Sequence, residues 1–397
     1  MLRNSVCPSC RFGRLKSATL SYRRYPILLC NNNVPRSSYQ SVWAGVMAAT
    51  AKLGANDVPP ITQSDHSFPD AIKVVGPEMD LLTANIRKLL KTTDPTLGKI
   101  AQYYFQVTGG GKRFRPLLVL TLSRAIPVAE SLKNNQSEIS LQDKPLSPME
   151  VLGDDTGPIT SSSTWIDDHE LNPEIAKLIM PSQRRMAEIT EMIHAASLLH
   201  DDVIDGAMTR RGRESGNAAF GNKLAILAGD FLLGRASIAL ARLRNPEVIE
   251  LLATVIANLV EGEFLQLKNI VNNNKTATLE ECFDHYLRKT YLKTASLMSK
   301  SCRATALLAG AETNVVDAAY QFGRNIGLAF QIVDDLLDFT AKDGILGKPT
   351  GADLELGLAT APVLFAWERY PQLGPLIKRQ FSQAGDVEQV KKILTLK

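Results

Sequence analysis

The spacing of apolar residues constrains the fold most strongly, because they recur every three or four positions along most of the chain. The first such stripe follows Pro77, a residue suited to the first turn of a helix. It consists of Leu81, Leu82, Ile86, Leu89 and Leu90. We find no convincing alternation of apolar and polar residues of the kind that marks a half-buried strand. The pattern predicts an all-α protein folded as a helical bundle.

Six further stretches carry the same periodicity and are predicted to be helical. They run from Arg115 to Ala125, Ser182 to Asp205, Asn222 to Leu243, Pro246 to Leu267, Leu279 to Leu308 and Val315 to Phe339. No uninterrupted apolar run reaches the roughly 18 residues that a membrane-spanning helix needs. Even Leu251 to Val260 stops at Glu261. The sequence therefore predicts a soluble or peripheral protein.

The N-terminal segment differs from the rest in charge. Residues 1–56 contain arginines and serines but no acidic residue, since the first is Asp57. This composition is typical of a mitochondrial transit peptide, although a disordered basic tail would look similar. We expect location in the mitochondrial matrix or at the matrix face of the inner membrane. Once the presequence is removed, the net charge of +4 no longer supports nucleic-acid binding, and we expect none.

A second unusual segment lies between two predicted helices. Residues 127–181 are polar and rich in Ser, Asp and Pro, with no sustained periodicity. Such composition favours disorder, and a loop of this length is uncommon inside a compact domain. We therefore predict one helical domain, residues 77–397, that closes without a disordered insertion at 127–181.

The sharpest motif is a pair of aspartate clusters, Asp201-Asp202-Val203-Ile204-Asp205 and Asp334-Asp335-Leu336-Leu337-Asp338. Each follows apolar sequence at the end of a predicted helix. Positions i and i+4 share a helix face, and carboxylates packed there repel one another near the negative end of the helix dipole. A solvated helix end could explain one copy, but two copies indicate a bound cation. Carboxylate oxygens suit Mg²⁺, which commonly also binds substrate phosphates.

Matching positive charge lies in two other segments. Gly109-Gly110-Gly111-Lys112-Arg113-Phe114-Arg115-Pro116 precedes a helix, and its backbone N–H groups and basic side chains could hold a diphosphate. Thr209-Arg210-Arg211-Gly212 follows the first aspartate cluster closely. Either segment alone is a weak signal, since neither has the spacing of a P-loop.

In order along the chain, the motifs GGKRFRP, HDDVID, RRG, LKTA, FQIVDDLLD and GKP resemble those of the trans (E) polyprenyl diphosphate synthase family. The likeness is greatest to the mitochondrial synthases of the ubiquinone side chain. It covers about residues 81–385, interrupted by the insertion. The resemblance implies an isoprenoid synthase-type helical bundle around a deep central cavity, with the two aspartate clusters facing each other across its mouth.

The resemblance also implies roles for individual residues. Asp201 and Asp205 would ligate Mg²⁺ on the allylic diphosphate, with Asp202 close by, and Asp334 would hold a further Mg²⁺, supported through water by Asp335 and Asp338. Isopentenyl diphosphate would be bound by Lys112, Arg115, His194 and Arg211. The allylic diphosphate would contact Arg210, Lys293, Thr294, Gln331 and Lys348. The family implies about three Mg²⁺ per active site.

The implied chemistry is ionisation of the allylic diphosphate, attack by the isopentenyl double bond, and loss of a proton. No enzyme nucleophile is needed, in agreement with the absence of a Ser/His/Asp or Cys/His pattern. Small residues before the first cluster, Ala196 and Ser197, would leave room for a long product. The active form would be a homodimer or a heteromer, and peripheral contact with the inner mitochondrial membrane is expected.

Two departures from the family pattern leave alternatives open. Leu358 stands where many members carry a second lysine, and the family usually continues through further helices after Gly385, whereas this sequence ends at Lys397. A truncated C-terminus would favour the role of a non-catalytic partner subunit. A class I terpene cyclase shares the ionisation step, but it has no isopentenyl site and usually has a different second metal motif.

Overall fold

The computed structural model describes residues 71–105, 113–133, 178–210, 212–271, 277–340 and 351–395, with no description of the side chains of residues 71, 133, 268–271, 340, 352 and 395. These residues lie in one compact unit, Pro69–Lys397. The elements of its N-terminal part are α1 (Ala71–Val74), α2 (Gly76–Leu89), α3 (Pro95–Ala101), a 3-10 turn (Tyr103–Phe105), α4 (Phe114–Ala125), α5 (Glu130–Lys133), α6 (Pro181–Ile204), β1 (Thr209–Arg210), β2 (Arg213–Glu214), α7 (Gly216–Phe220) and α8 (Asn222–Arg242). Those that follow are α9 (Pro246–Val271), α10 (Leu279–Thr290), the π segment (Tyr291–Ala295), α11 (Ser296–Leu308), α12 (Thr313–Thr340), α13 (Ala352–Glu355), α14 (Ala361–Arg369), α15 (Leu373–Lys378) and α16 (Asp386–Thr395).

The predicted all-α class is confirmed, and the described helices match the apolar periodicity closely. The two strands form a two-residue antiparallel hairpin that pairs Thr209 with Glu214. The helix predicted from Leu279 to Leu308 is continuous but changes its hydrogen-bond pattern at the π segment. Periodicity does not reveal such a change, because one wide turn barely alters which residues face the core.

Helix α6 forms the centre of the bundle. It packs against α4, α8 and α11, and its side chains are buried on nearly every side between Ser182 and Met192. Met186, Ile189 and Met192 are inaccessible to solvent. Burial of an aliphatic side chain stabilises a protein by roughly 1.5–3 kcal/mol. This core fixes the position of α6, whose C-terminal end carries the first aspartate cluster.

The π segment is held between α9 and α12 at two glycines. A Cβ on Gly262 of α9 would lie 2.7 Å from Lys293 Cγ. A Cβ on Gly327 of α12 would lie 2.6 Å from the Cα of Ala295. Real Cβ atoms do not approach other heavy atoms so closely, and only glycine permits these contacts. The two glycines thus hold Lys293 and Thr294 between α9 and α12, the second of which carries the second aspartate cluster. Wide turns of this kind often mark functional sites.

The C-terminal helices α13 to α16 enclose their own apolar cluster. Leu354, Val363, Leu373 and Val390 are almost fully buried in it. The backbone N–H of Gly351 donates to the carbonyl of Asp338, 3.0 Å away, which ties this cluster to α12. As a result, Asp353 on α13 lies close to the second aspartate cluster.

The segment predicted to be a disordered insertion is described only at its ends, and those ends are part of the fold. Residues 130–133 form α5, and the N–H of Ala129 donates to the carbonyl of Ala309. Ile179 is buried, and Pro181 begins α6. The bounds 127–181 were therefore too wide, because short packed turns carry no periodicity. Residues 134–177 and the predicted transit peptide, 1–56, lie outside the described residues.

One helix among the described residues, α8, is long and apolar enough to cross a membrane by length and composition. Counting uninterrupted apolar runs had not identified it, because Asp230 and Arg235 interrupt its sequence. About 44% of its most apolar stretch is buried inside the protein. A core helix of a bundle passes the same test, so this finding is weak support for a membrane span.

Candidate active site

The first aspartate cluster lies at the C-terminal end of α6. Asp201 is in the last turn, and Asp205 ends the helix with its N–H donating to the carbonyl of Asp201, 2.8 Å away. Burial raises the pKa of Asp201 to about 6; Lys293 opposes the shift, while Glu263 and Asp205 add to it. Carboxylates that raise one another's pKa lack sufficient neutralising charge. The cluster thus fits a cation.

Asp202 points away from the other two carboxylates of its cluster. It is fully buried and pairs with Arg210, whose Nε lies 2.8 and 2.9 Å from its two oxygens. The hydroxyl of Tyr104 also donates to Asp202, and it accepts from the N–H of Gly216 at 3.0 Å. Burial tends to lower the pKa of Arg210, but its bonds to Asp202 outweigh this and raise it. Asp202 therefore anchors the hairpin to α6, whereas the sequence had placed it only close to the metal ligands.

The second cluster lies near the C-terminal end of α12. Asp335 is almost fully buried and accepts from the hydroxyl of Tyr286 at 2.6 Å and from the amide of Gln331 at 2.8 Å. The N–H of Ala361 is a third donor. Burial raises the pKa of Asp335, and these donors oppose the rise. The hydroxyl of Thr294 donates to the side-chain carbonyl oxygen of Gln331 at 2.8 Å. Two residues predicted to contact the allylic diphosphate are thus linked to Asp335.

Acidic charge accumulates beside this cluster. One oxygen of Asp338 is buried and has no hydrogen-bond partner. Burial, followed by the charges of Asp338 and Asp335, raises the pKa of Asp353 to about 6. A carboxylate oxygen without a hydrogen-bond partner among other carboxylates fits a binding site for a cation. Asp353 was not predicted as a site residue, because no motif spacing connects it with α12.

A complete metal site is not formed by side chains alone: in the described part of the chain, no three Asp, Glu, His or Cys side chains converge on one point. This agrees with the chemistry of Mg²⁺, which often takes only one or two carboxylates and fills its shell with water and substrate phosphate. The clusters at Asp201 and Asp338 therefore fit Mg²⁺ bound together with a phosphate ligand.

Lys293 lies beside the first cluster. Its Nζ forms an ion pair with Glu263 on α9 and donates to Gln266, 3.1 Å away. It also acts electrostatically on Asp201. Glu263 is a site residue that sequence reasoning missed. The only available signal was an acidic residue on the apolar face of a helix.

The residues predicted to bind isopentenyl diphosphate are partly described. Arg115 on α4 and His194 on α6 are brought together, with Nη1 and Nε2 2.9 Å apart. A cavity of ≈ 40 Å³ lies next to them, lined by His194, Arg210 and Arg213 among others. Arg213 is a further cation that no motif identified. Lys112, Arg211 and Lys348 lie outside the described residues.

A larger cavity of ≈ 210 Å³ extends from Asp201 along α6. Its lining is mostly apolar and includes Ile193, Leu233, Ile256 and Phe264, with Ser197 one helical turn from Asp201. Such a space suits a hydrocarbon chain whose charged end lies at the carboxylates.

Only one of the two predicted chain-length residues, Ser197, lines this cavity. Ala196 is fully buried in the core on another face of α6. The reason is rotation: four positions turn a helix by about 400°, whereas five turn it by about 500° and place the side chain well off the stripe. Ala196, predicted together with Ser197 to leave room for a long product, therefore does not line this cavity.

Comparisons with known proteins agree with this geometry. The family model described as polyprenyl synthetase matches residues 163–395. The probable mitochondrial hexaprenyl pyrophosphate synthase of Yarrowia lipolytica is 52% identical over 88% of this chain and 78% of its own length. The mitochondrial hexaprenyl pyrophosphate synthase of Saccharomyces cerevisiae is 46% identical over 89% of this chain and 85% of its own. Subunit 1 of the decaprenyl-diphosphate synthase of Schizosaccharomyces pombe is 46% identical, with coverages of 82% and 79%.

A solved structure supports the same assignment. The polyprenyl synthase of Caulobacter crescentus, crystallised with calcium and isoprenyl diphosphate, aligns with a TM-score of 0.58 and 25% identity. The alignment covers 82% of this chain and 83% of that one. The chain belongs to the polyprenyl synthetase family and is a long-chain polyprenyl diphosphate synthase, a transferase of prenyl groups.

Proposed function

We propose that this chain condenses isopentenyl diphosphate onto an allylic diphosphate repeatedly until the product is hexaprenyl diphosphate, destined for the ubiquinone side chain. The observation that carries the proposal is the apolar cavity beside Asp201, which places a hydrocarbon channel directly at a carboxylate cluster. The hexaprenyl synthases among the relatives support the product length. The pairing of Arg115 with His194 supports a separate site for isopentenyl diphosphate.

The protein's own groups would act mainly by positioning and electrostatics. Lys293, Thr294 and Gln331 would hold the allylic diphosphate, and Arg115 and His194 would hold the second substrate. Preorganised charges stabilise negative charge as it develops on a leaving group. As the allylic C–O bond breaks, the isopentenyl double bond attacks the resulting cation and forms a new C–C bond. The new cation on the isopentenyl unit then loses a proton to the released diphosphate, which restores a double bond. The apolar cavity would shield the cation from water.

Asp201, Asp205 and Asp334 are the residues that would hold Mg²⁺, with Asp338 of the second cluster and the neighbouring Asp353 close by. When bound, Mg²⁺ would neutralise diphosphate charge as a Lewis acid. About three ions per site, the number implied by the resemblance, would balance the excess of carboxylates. Asp202 has a different task, because both its oxygens are already engaged.

Location and assembly form part of the proposal. The acid-free segment 1–56 and the mitochondrial relatives support import into the matrix, with the active protein there or at the inner membrane. Peripheral membrane contact would help release a water-insoluble product. The assembly would be a homodimer or a heteromer, and a relative described as a subunit supports the second alternative.

One assay tests the proposal. Purified full-length protein is incubated with farnesyl diphosphate, labelled isopentenyl diphosphate and Mg²⁺, and the product is sized by chromatography. We expect hexaprenyl diphosphate. Conversion of the allylic substrate without incorporation of label would indicate a cyclase. Absence of product from folded protein alone, with activity restored by a partner chain, would indicate a non-catalytic subunit.

A further inference from the structure

Lys289 lies in the last turn of α10, four residues before Lys293. The Lys-Thr pair of residues 289 and 290 thus repeats at residues 293 and 294. Positions four apart share a helix face, so the two lysines occupy neighbouring positions between the aspartate clusters. Neither the motifs nor the resemblance had assigned a role to the first lysine.

The electrostatic surroundings of Lys289 are those of the second cluster. The negative charges of Asp335 and Asp353 favour its protonated form. Its Nζ lies 5.9 Å from the ring centre of Tyr286, the residue whose hydroxyl donates to Asp335. Burial lowers the pKa of Lys289, and the two carboxylates oppose that shift. Lys289 is therefore the lysine that balances acidic charge on the α12 side of the site.

The two lysines are held differently. Lys293 is committed to an ion pair with Glu263 and a hydrogen bond to Gln266. In the described part of the chain, the contact of the Lys289 ammonium group is the ring of Tyr286, and it forms neither an ion pair within 4.0 Å nor a hydrogen bond. The side chain of Lys289 is half-buried, and withdrawing an ammonium group from water without an anionic partner costs free energy. An anion bound between the clusters would offset that cost.

We propose that Lys289 is a further substrate-binding residue whose ammonium group contacts the allylic diphosphate on the side of the second aspartate cluster. The proposal rests on the proposed function and deepens it. Thr294, Gln331 and Asp335 form one hydrogen-bonded row beside it, so a diphosphate held there lies within the region that Lys289 faces. Lys293 serves the first cluster and Lys289 the second.

The direct test compares Lys289→Met with Lys289→Arg in the full chain. We expect Lys289→Met to raise KM for farnesyl diphosphate about ten- to a hundredfold, the scale for losing a hydrogen bond to a charged group. KM for isopentenyl diphosphate should change less than about twofold, because Arg115 and His194 lie elsewhere. Lys289→Arg should restore most of the affinity. Lys289→Gln provides a second neutral variant if the Met variant does not fold.

Lys300→Met is a matched control. Lys300 is also partly buried, and burial lowers its pKa to about 8, but its Nζ donates to Thr254, 2.6 Å away, on α9. We expect its KM values to equal those of the wild type. An unchanged KM for farnesyl diphosphate in a folded Lys289 variant would overturn the inference.

A double variant distinguishes substrate binding by Lys289 from a purely structural role. If Lys289 only neutralises Asp353, then Lys289→Met combined with Asp353→Asn should return KM for farnesyl diphosphate to that of Asp353→Asn alone. If Lys289 contacts substrate, KM should stay raised. Binding of inorganic diphosphate with Mg²⁺, measured as a rise in melting temperature, should weaken in parallel. Wild-type protein assayed alongside keeps the two failures apart: an inactive wild type contradicts the proposed function, whereas an active wild type with an unaffected Lys289→Met contradicts only this inference.

Discussion

The two aspartate clusters have the same spacing, yet their second aspartates are held by different chemistry. Asp202 is paired with a cation, Arg210, and receives a hydroxyl from Tyr104. Asp335 receives a hydroxyl from Tyr286 as well, but its other bonds come from the neutral Gln331 and a backbone N–H. In both clusters the second carboxylate is held by protein donors, and we propose that the first and third carboxylates bind the cation. The negative charge of Asp202 is neutralised by its ion pair with Arg210. The charge of Asp335 is met at hydrogen-bond distance by neutral donors only.

The largest effect should come from the outer carboxylates. Asp201→Ala and Asp334→Ala should each lower kcat at least about a hundredfold, because each removes a charge that stabilises the leaving group. The melting temperature should change little, since no apolar contact is lost from the core. A variant that keeps more than half of the wild-type rate at saturating Mg²⁺ would contradict the metal-ligand assignment for its cluster.

The middle carboxylates should differ in their contribution to stability. Asp202→Asn leaves the partly buried Arg210 without its partner, and we expect the free energy of unfolding to fall by about 2–3 kcal/mol. Asp335→Asn weakens hydrogen bonds from neutral donors and removes a more distant attraction to Lys289, with an expected loss of about 1 kcal/mol. Urea denaturation of both variants measures the difference. Equal losses would show that Arg210 does not distinguish the clusters.

The helix that carries the first cluster allows a test of product length. Ser197→Phe should shorten the product to about three or four isoprene units, because Ser197 lines the cavity only about 6 Å along the helix from Asp201. Ala196→Phe should instead overpack the core and cost about 1–3 kcal/mol without a specific shortening. Product chromatography and thermal melting of both variants check this. A folded Ser197→Phe variant with an unchanged product would show that product length is limited at another position.

The smallest expected effects concern the two tyrosines. Tyr104→Phe and Tyr286→Phe should each lower the free energy of unfolding by about 1 kcal/mol, the usual contribution of one hydrogen bond. Only Tyr286→Phe should change the Mg²⁺ concentration that gives half-maximal rate, because Asp202 keeps its ion pair with Arg210. A similar change in Tyr104→Phe would show that Asp202 also takes part in cation binding.

The sequence by itself determined the helices and the identity of the two clusters. Periodicity is a local property, so the bounds of α6, α8 and α12 agree with the predicted stretches within a few residues. The aspartates at positions i and i+4 could be recognised because helical spacing fixes which side chains share a face. The family motifs then indicated Lys293, which lies beside the first cluster, and Thr294 and Gln331, which are linked by hydrogen bonds to Asp335.

Only the tertiary structure decided what each carboxylate touches. Asp202 and Asp201 are adjacent in sequence, but the first faces the hairpin and the second faces the cavity, because neighbouring helical positions point in directions about 100° apart. Glu263, Asp353 and Lys289 join the site from other helices, and no local spacing connects them with either motif. At Gly262 and Gly327, α9 and α12 each approach the π segment closely, which places Lys293 beside Glu263. Such contacts between residues distant in sequence decide how each buried charge is compensated.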